Sequence, residues 1–426
     1  MLRSPRTILT VLAAAIALLG ACGRRRASAT SATGGCDQSI TLPAGFCAVV
    51  FSESAGPARH LVVRKNGDVI VGVLDVRRQV GGMLALRDTD RDGHADIAER
   101  FGETGVHGVL LAGDSVLYAS TSNAILRYHF ADSLTPRKRV DTVVAGLPVR
   151  APPSHSLAMD ARGNLIVNIG AASNGCQGTE TPNARGRDPC PELETSGGIW
   201  SFHTDRVNQQ LKDGTRVATG LHNAVALTVN PRDSTIYAVS QGRDRLHDLW
   251  PDLYSPEEAA ALAAEEMIRI ATIRADFGWP YCYYDYLKQA RVLAPEYGGD
   301  KQQTGRCERM IQPLIAFPAH WAPMSMLFYT GAMFPAAYRT GVFIAFHGSA
   351  YRAPLPEEGY HVVFLNFTRD NLAGDYSIFA GGFAGGMTSP EGSAHRPVGL
   401  AQGPDGAMYL TDDKGGRIWR ITYSAK

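Results

Sequence analysis

The stretch Asn66-Gly67-Asp68-Val69-Ile70-Val71 places a turn directly before a short run of β-branched residues. The same turn-then-strand pattern begins again at Asp114, Arg162, Asp233, Thr340 and Asp405. The first two intervals between copies are about 47 and 49 residues long. A period of about 40–50 residues is typical of a β-propeller, in which each blade is a four-stranded sheet. Six copies therefore predict an all-β, six-bladed β-propeller.

The later intervals are longer, at about 71, 106 and 66 residues, which indicates insertions in the loops. Two strand-like segments near the chain ends, 47–51 and 418–423, can complete one blade together and close the ring. The longest interval contains Ser255-Pro256-Glu257-Glu258, a capping signature, followed by an Ala-rich run. It predicts one helix, extending to about Ile270. A pair of β-sandwiches is the alternative to a single propeller over residues 36–426.

Residues 1–21 are interpreted as a signal peptide. A basic start at 3–6 precedes an apolar stretch at 8–19, which is too short to span a bilayer. The next residues resemble a bacterial lipobox that ends at Cys22, so Cys22 is predicted to be lipidated, with a flexible tether over 22–35. An ordinary signal peptide is the alternative. We expect an exported bacterial lipoprotein on the periplasmic side of a membrane, the outer one in a Gram-negative cell, bound through its lipid only.

The other cysteines indicate disulfides, because an even number in an exported protein is typical of oxidised pairs. Six cysteines allow 15 pairings. Proximity in sequence favours three local pairs, and a zinc site is disfavoured because no C-x-x-C pair is present. The expected pairs are Cys36 with Cys47, Cys176 with Cys190, and Cys282 with Cys307.

Composition excludes several classes of protein. With 42 basic and 41 acidic residues, a net charge of +1 lacks the basic footprint of a nucleic-acid-binding protein. A chain that is 45% hydrophobic is not disordered. Its 45 glycines exceed the usual share of ~7%, which favours a protein with many turns.

Residues 88–99 fit the template of a calcium loop. Carboxylates occupy its positions 1, 3, 5, 9 and 12, and Gly93 occupies the turn position. The preceding segment 83–86 has the pattern of a strand, so the loop does not belong to a helix–loop–helix unit. Calcium binding with a structural role is one interpretation, and a solvated acidic turn is the other. The candidate ligands are Asp88, Asp90, Asp92, Asp96 and Glu99.

Histidines and arginines recur in Gly-rich loops beside the repeated strands. In a propeller the inner strands converge on the axis, so these loops can contribute to one central site. Each residue alone is weak evidence, and their joint placement is what indicates a site. They include His107, His155, His222, Arg243, His347 and Arg396.

Longer motifs make the chain similar to the glucose/sorbosone dehydrogenases, which are soluble quinoproteins with a six-bladed propeller and pyrroloquinoline quinone (PQQ). The matching motifs favour the L-sorbosone dehydrogenase-like branch. They are DFGWP at 276–280, LAPEYGGD at 293–300, FPAHWAP at 317–323, FYTG at 328–331, AFHGS at 345–349, RPVGLA at 396–401 and GRIWRI at 416–421.

The resemblance implies a PQQ-dependent dehydrogenase that oxidises a sugar or a related aldehyde or alcohol. It implies Ca²⁺ held by backbone carbonyls of Gly242 and Arg243, and a proton acceptor at His155. The pair His222-Asn223 matches an Arg-Asn pair that contacts the cofactor. The resemblance also implies that Arg396 and His347 pair with the carboxylates of the cofactor. It places His107 in the pocket, facing the quinone. No C-x-x-C-H motif is present, so electrons are expected to pass to a separate cytochrome or quinone.

Some of these positions depart from the family pattern. His222 stands where the family has Arg, Pro152 falls where simple register places the base, and Ala350-Tyr351 replaces a Trp-Asn pair, which predicts the loss of an aromatic wall. Two other functions therefore stay open. One is a catalytically degenerate propeller lipoprotein with a binding role. The other is a calcium-dependent lactonase-type hydrolase, with Asn174 and Asn223 as possible ligands.

Overall fold

Six antiparallel sheets follow one another along the chain in the computed structural model, which describes residues 35–76, 81–149, 155–368, 371–372 and 374–425. The first strands are β1 (Phe46–Ser52), β2 (Ala58–Val63), β3 (Val69–Val73), β4 (Gly82–Arg87), β5 (Ile97–Phe101), β6 (Val109–Ala112), β7 (Val116–Ser120), β8 (Ile125–His129), β9 (Val140–Val144), β10 (Leu157–Met159), β11 (Leu165–Ile169), β12 (Gly198–Phe202), β13 (Thr215–Thr219) and β14 (Asn223–Val229). The others are β15 (Ile236–Gln241), β16 (Glu265–Ile270), β17 (Ala275–Asp276), β18 (Cys282–Asp285), β19 (Ala290–Leu293), β20 (Ile315–Phe317), β21 (Pro323–Phe328), β22 (Gly341–Phe346), β23 (His361–Thr368), β24 (Asn371–Leu372), β25 (Ser377–Ala380), β26 (Pro397–Gln402), β27 (Met408–Asp412) and β28 (Ile418–Tyr423).

Helical segments are short and lie between strands. They are α1 (Leu246–Leu249), α2 (Pro256–Ala261) and five 3₁₀ turns at Pro191–Glu194, Leu211–Asp213, Pro295–Tyr297, Gly305–Arg309 and Ala336–Tyr338. No helix of the described residues is both long enough and apolar enough to cross a bilayer.

The sheets are the six blades of a propeller. Listed from the axis outwards, they are β2-β3-β4-β5, β6-β7-β8-β9, β10-β11-β12-β13, β14-β15-β16-β20, β21-β22-β23-β25 and β26-β27-β28-β1. The first strand of each blade contacts the first strands of both neighbours, and β2 contacts β26, so the ring is closed. The six stretches that carry the sequence repeat are the second strands β3, β7, β11, β15, β22 and β27. The predicted all-β, six-bladed propeller is confirmed.

The chain ends close the sixth blade. Strand β1 pairs with β28, with Phe46 opposite Tyr423 and Val50 opposite Trp419, as the two end segments predicted. Trp419 is fully buried, and its indole N–H donates to Asp37 at 2.7 Å. The N-terminal edge of the described chain is thereby attached to the last strand.

Burial follows from the stacking of blades. All residues of β3 and of β22 are buried, because each blade packs between two others and offers no solvent-facing side. Aromatic side chains fill the space between blades four and five, where Tyr237 lies 5.1 Å from Phe328 and 5.8 Å from Phe367, measured between ring centroids. These interlocked faces make the ring one rigid support for the loops at its axis.

The helix predicted after Ser255 is shorter than expected. Its capping box is present, because the Ser255 hydroxyl accepts from Glu258 N at 3.1 Å and the Glu258 carboxylate accepts from Ser255 N at 2.9 Å. The helix ends at Ala261, and the prediction that it reaches Ile270 is wrong. Residues Glu265–Ile270 form β16 instead, since the fourth blade needs a third strand and this segment pairs with β15.

The three expected disulfides are present in the structure. Their Cα–Cα distances are 5.2 Å for Cys36–Cys47, 6.0 Å for Cys176–Cys190 and 5.8 Å for Cys282–Cys307. Each closes a local loop, which stabilises an insertion rather than joining blades. The predicted lipidation site Cys22 and the signal peptide lie outside the described residues.

Candidate active site

A cavity of ≈660 Å³ lies where loops from the inner strands meet the propeller axis. We call it the axial cavity. It brings together six of the residues predicted from sequence, and its wall also includes Arg59, Asp244, Glu265, His320 and Tyr351. The six predicted residues are Asn174, His222, Asn223, Gly242, His347 and Arg396.

One side of the axial cavity is cationic. Arg59 donates to Asp413 at 2.6 Å, and His347 Nε2 lies 2.8 Å from the other oxygen of the same carboxylate. Arg396 Nε donates to the carbonyl of His347 at 3.1 Å. Burial alone would raise the pKa of Asp413, but His347 and Arg59 hold it well below its usual range. Arg59 and His347 thus share one carboxylate, whereas Arg396 bonds to the backbone carbonyls of His347 and Gly348, so this side keeps an excess of positive charge.

His107 lies behind this wall and is not among the residues that line the cavity. Its Nδ1 accepts from Arg59 Nε at 3.2 Å, and its ring centroid is 4.9 Å from that of His60. Burial lowers the pKa of His107 well below its usual value, so the ring is neutral. Its Nε2 has no hydrogen-bond partner among the described residues. His107 therefore supports Arg59 from the second layer.

His155 is also buried next to this layer. Its Nδ1 lies 3.0 Å from the carbonyl of Asn168, and its Nε2 lies 3.2 Å from the carbonyl of Ser122. Burial lowers the pKa of His155, so the ring is neutral and carries one N–H. Both ring nitrogens face carbonyl oxygens, and the shorter distance favours Nδ1 as the donor. His155 is not among the residues that line the axial cavity. The alternative position for the base, Pro152, lies outside the described residues.

A ladder of amides connects His155 to the cavity wall. The side chain of Asn168 donates to that of Asn223 at 3.0 Å, and Asn223 donates to Gln241 at 2.9 Å. The carbonyl of Asn168 faces His155 Nδ1. Asn223 and Gln241 line the cavity. Asn168 therefore contacts the histidine ring through its backbone carbonyl and the cavity-facing amides through its side chain.

Another part of the cavity wall is acidic. The carboxylate of Glu265 accepts from Gly242 N at 2.9 Å and from Ala322 N at 3.0 Å, which ties two cavity loops together. Burial raises the pKa of Glu265 to about 7. Asp244 lies 3.2 Å from His320 Nδ1, and the interaction raises the pKa of His320 against the effect of burial.

Gly242 and Arg243 occupy this acidic side in different ways. A Cβ on Gly242 would lie 2.6 Å and 2.7 Å from the carbonyl oxygens of Ala263 and Ala264, so only glycine fits. The side chain of Arg243 turns away from the cavity and pairs with Glu296 at 2.5 Å and 2.8 Å. Only the backbone of Arg243 is available to the site. The family resemblance implies a role for that backbone carbonyl, as a ligand of Ca²⁺.

We expect Glu265 to make stability depend on pH. Its folded pKa of about 7 lies above its unfolded value of 4.5, so the unfolded chain loses the proton first as pH rises. The contribution of Glu265 to stability therefore falls between about pH 4.5 and 7, by up to about 3 kcal/mol. Urea unfolding at pH 5 and pH 8 should show this pH dependence in wild type and in the control variant Glu257→Gln, at an exposed position, and should show it reduced in Glu265→Gln. Equal pH dependence in all three proteins would contradict it.

The acidic loop at 88–99 lies between β4 and β5 of the first blade. Carboxylate oxygens of Asp88, Asp90 and Asp96 lie within 4.8 Å of one another, and this is the only such group of three acidic, histidine or cysteine side chains among the described residues. The candidates Asp92 and Glu99 are not in the group. Calcium binding here stays a prediction.

Several wall residues were missed by the sequence analysis. Arg59 stands at the start of inner strand β2, just as Asn223 starts β14, and its position beside a repeat strand was a usable signal. Asp413 and Glu265 carried no such signal, because their roles depend on partners far away in the chain. Tyr351 corrects an expectation, since an aromatic residue does line the cavity.

The chain is similar to proteins of a known family and to several solved structures. The family described as TrAA12-like matches residues 40–424. The calcium structure of Trichoderma reesei family AA12 has a TM-score of 0.74 at 19% identity, covering 90% of this chain and 97% of that chain. The holo form of the pyranose dehydrogenase PQQ domain from Coprinopsis cinerea has a TM-score of 0.70 at 17% identity, over 90% and 97% of the two chains.

The chain is also similar to a bacterial sugar dehydrogenase of known structure and to a bacterial protein of unknown function. The soluble aldose sugar dehydrogenase of Escherichia coli, in its apo form, has a TM-score of 0.58 at 15% identity, over 89% of this chain and 100% of that chain. An uncharacterised protein of Borreliella burgdorferi is 29% identical over 286 residues, which span 66% of this chain and 64% of that protein. At their low identities the solved structures establish the shared fold. The predicted resemblance to soluble quinoprotein dehydrogenases is confirmed, without specifying the sorbosone branch.

Proposed function

The chain belongs to the TrAA12-like family, and from this premise we propose that it is a PQQ-dependent dehydrogenase that oxidises a sugar or a related aldehyde or alcohol. The observation that carries the proposal is the cationic wall of the axial cavity. Arg59, Arg396 and His347 line the cavity of ≈660 Å³, and of these three only Arg59 and His347 pair with a carboxylate, that of Asp413. Such a wall suits a small ligand with several carboxylates.

The donor set fits both PQQ and Ca²⁺. Arginine and histidine N–H groups pair with carboxylates in charge-assisted hydrogen bonds, so Arg59, Arg396 and His347 would hold the cofactor. The backbone carbonyls of Gly242 and Arg243 would hold the cation, beside the acidic Asp244 and Glu265. When bound, PQQ supplies a quinone that accepts two electrons from the substrate.

A side chain of the protein would accept the proton of the substrate hydroxyl. His155 Nε2 is the proposed acceptor, because the ring is neutral and Nδ1 is anchored on Asn168. The backbone carbonyl of Asn168 contacts that ring, and the side chain of Asn168 donates to the cavity-lining Asn223. His222 and Asn223 line the cavity and would position the substrate and cofactor.

Arg396→Gln should weaken PQQ binding by roughly 10- to 100-fold, because a hydrogen bond to a charged group contributes roughly 1.5–3 kcal/mol. Arg396 is only half-buried and bonds to the carbonyl of His347, so glutamine can be accommodated. A fluorescence or calorimetric titration of the apo-protein with PQQ measures the dissociation constant. Arg352→Gln is the matched control, since Arg352 belongs to a neighbouring loop and does not line the cavity. Equal affinity of the Arg396 variant and wild type would remove Arg396 from the cofactor site.

Tyr351→Ala should raise KM for the sugar about 3- to 10-fold with little change in kcat, because an aromatic face stabilises a bound sugar ring by about 1 kcal/mol. Tyr351 is 51% exposed at the cavity wall, and its ring centroid is 6.2 Å from that of His320. Steady-state kinetics of Tyr351→Ala and Tyr351→Phe measure the effect. The phenylalanine variant should behave like wild type; an unchanged KM in the alanine variant would contradict the role.

Reconstitution tests the function itself. Apo-protein incubated with PQQ and Ca²⁺ should reduce a redox dye when aldoses are added, and absorbance should report bound PQQ. Failure to bind PQQ would contradict the dehydrogenase and favour a binding lipoprotein. Hydrolysis of lactones without PQQ would favour the lactonase-type alternative, for which the described part of the axial cavity offers no cluster of three metal-binding acidic, histidine or cysteine side chains.

The cellular setting extends the proposal. We infer lipidation at Cys22, location on the periplasmic side of a membrane, and transfer of electrons to a separate cytochrome or quinone. The basis is the sequence alone: the lipobox-like motif and the missing haem-attachment motif. Metabolic labelling with a fatty acid, compared between wild type and Cys22→Ser, tests the anchor.

A further inference from the structure

A second cavity, of ≈400 Å³, opens between the outer strands of the second blade. We call it the blade-two cavity. Ser115 precedes β7, His129 ends β8 and Asp141 lies at the start of β9, so all three mark the same end of the blade. The axial cavity lies at the other end, where β7 finishes and β8 begins. The two cavities share no lining residue.

The blade-two cavity is strongly cationic. Its wall includes Arg127, Arg137, Arg139 and His129, against the single carboxylate of Asp141. Three arginines against one aspartate leave two uncompensated positive charges. The whole chain carries a net charge of only +1, so this excess is local.

Asp141 is saturated by its neighbours. Arg127 meets it at 3.0 Å and 2.7 Å, Arg139 at 3.1 Å, and His129 at 3.3 Å. The hydrogen bond from Arg127 is the first cause that holds the pKa of Asp141 well below its usual range. The carboxylate stays ionised and cannot neutralise a further cation.

Two arginines have complementary roles. Arg127 is held in place, because its third donor reaches the carbonyl of Thr204 at 2.7 Å. The guanidinium of Arg137 lies at the exposed mouth and makes no hydrogen bond or ion pair to any described residue. Arg127 is therefore a fixed positive charge inside the cavity, and Arg137 is a positive charge at its entrance that can bind a ligand. Together they can form an anion-binding site.

We propose that the blade-two cavity binds a phosphate group, either as free phosphate or as the headgroup of a lipid. Guanidinium groups match phosphate oxygens through paired hydrogen bonds. A tetrahedral phosphate can take donors from both Arg137 and Arg139, whereas a carboxylate has only two oxygens to offer. The dianion also balances the two uncompensated charges. This site is independent of the proposed dehydrogenase.

The test uses full-length protein with Cys22→Ser, so that no lipid is attached. Calorimetric titration with inorganic phosphate at low ionic strength should show one site, and Arg137→Gln should weaken it roughly tenfold. Lys138→Gln is the matched control: it removes the same charge from the next residue, which does not line the cavity. Lys138→Gln should change the affinity for phosphate by less than about threefold.

A second measurement separates the two sources of phosphate. Sedimentation with phosphatidylcholine vesicles, with and without phosphatidic acid, reports binding to a headgroup. Binding of inorganic phosphate that depends on Arg137 supports the free anion, and Arg137-dependent binding to phosphatidic acid alone supports the headgroup. Binding of neither, or equal loss in the Arg137 and Lys138 variants, overturns the proposal. PQQ binding should be unchanged in both variants, so this site and the proposed function can fail separately.

Discussion

Replacing His155 with alanine is expected to lower kcat about a thousandfold while leaving the affinity for PQQ nearly unchanged, because a general base contributes roughly 10²–10⁴-fold to the rate. The basic nitrogen is Nε2, which keeps its lone pair when Nδ1 donates to Asn168 at 3.0 Å. Dye reduction at saturating PQQ measures kcat, and titration of the apo-protein measures cofactor affinity. The prediction rests on the proposed dehydrogenase function.

The control distinguishes a proton acceptor from a buried structural histidine. His361 is also buried, and burial lowers its pKa to about 4, but it packs against Trp321 in the fifth blade. His361→Asn should change stability without a thousandfold loss of kcat. His222→Asn provides the second comparison, since His222 lines the cavity. If His222→Asn loses the rate and His155→Ala does not, the base is His222.

The pH profile gives an independent reading of His155. Burial lowers the pKa of His155 below the ordinary 6.5, so the ring is already neutral at neutral pH. The acidic limb of kcat/KM should therefore fall below pH 6.5, where the ring begins to take up a proton. A limb well above pH 6.5 that disappears in His155→Ala would contradict the assigned protonation state.

The fold was predictable because its information is local and repeated. Each second strand carries its own turn and its own β-branched run, so six copies could be counted without any knowledge of their partners. The error at Glu265–Ile270 has the same origin. The helix start at Ser255 and the Ala-rich run are local signals. The pairing of β16 with β15 depends instead on the rest of the blade, and this pairing makes the segment a strand.

The candidate site was predictable only in part. His222, Asn223, Gly242, His347 and Arg396 belong to loops beside repeat strands, so the ring geometry brings them to the axis. The pair Arg59–Asp413 joins residues 354 positions apart, and no local pattern announces it. The burial of His107 and His155 behind the wall likewise depends on side-chain packing rather than on loop position.

Glu296→Gln is expected to destabilise the protein by about 3–5 kcal/mol, because it leaves the buried guanidinium of Arg243 without its countercharge. Both side chains are almost completely buried, at 2% and 0% exposure. Glu296 also accepts from the indole N–H of Trp250 at 3.0 Å, so the carboxylate joins three segments beneath the axial cavity. Urea unfolding followed by tryptophan fluorescence measures the loss.

An exposed ion pair supplies the matched control. Arg306 and Asp188 form an ion pair with 43% and 47% of their side chains exposed, and Asp188→Asn should cost less than about 1 kcal/mol. The double variant Arg243→Met, Glu296→Leu removes both charges and should recover much of the stability, since an apolar pair needs no compensation. If Glu296→Gln costs no more than Asp188→Asn, the buried pair is not a stabilising anchor. Because Arg243 directly follows Gly242, loss of this anchor should also weaken Ca²⁺ binding, whereas Asp188→Asn should leave it unchanged.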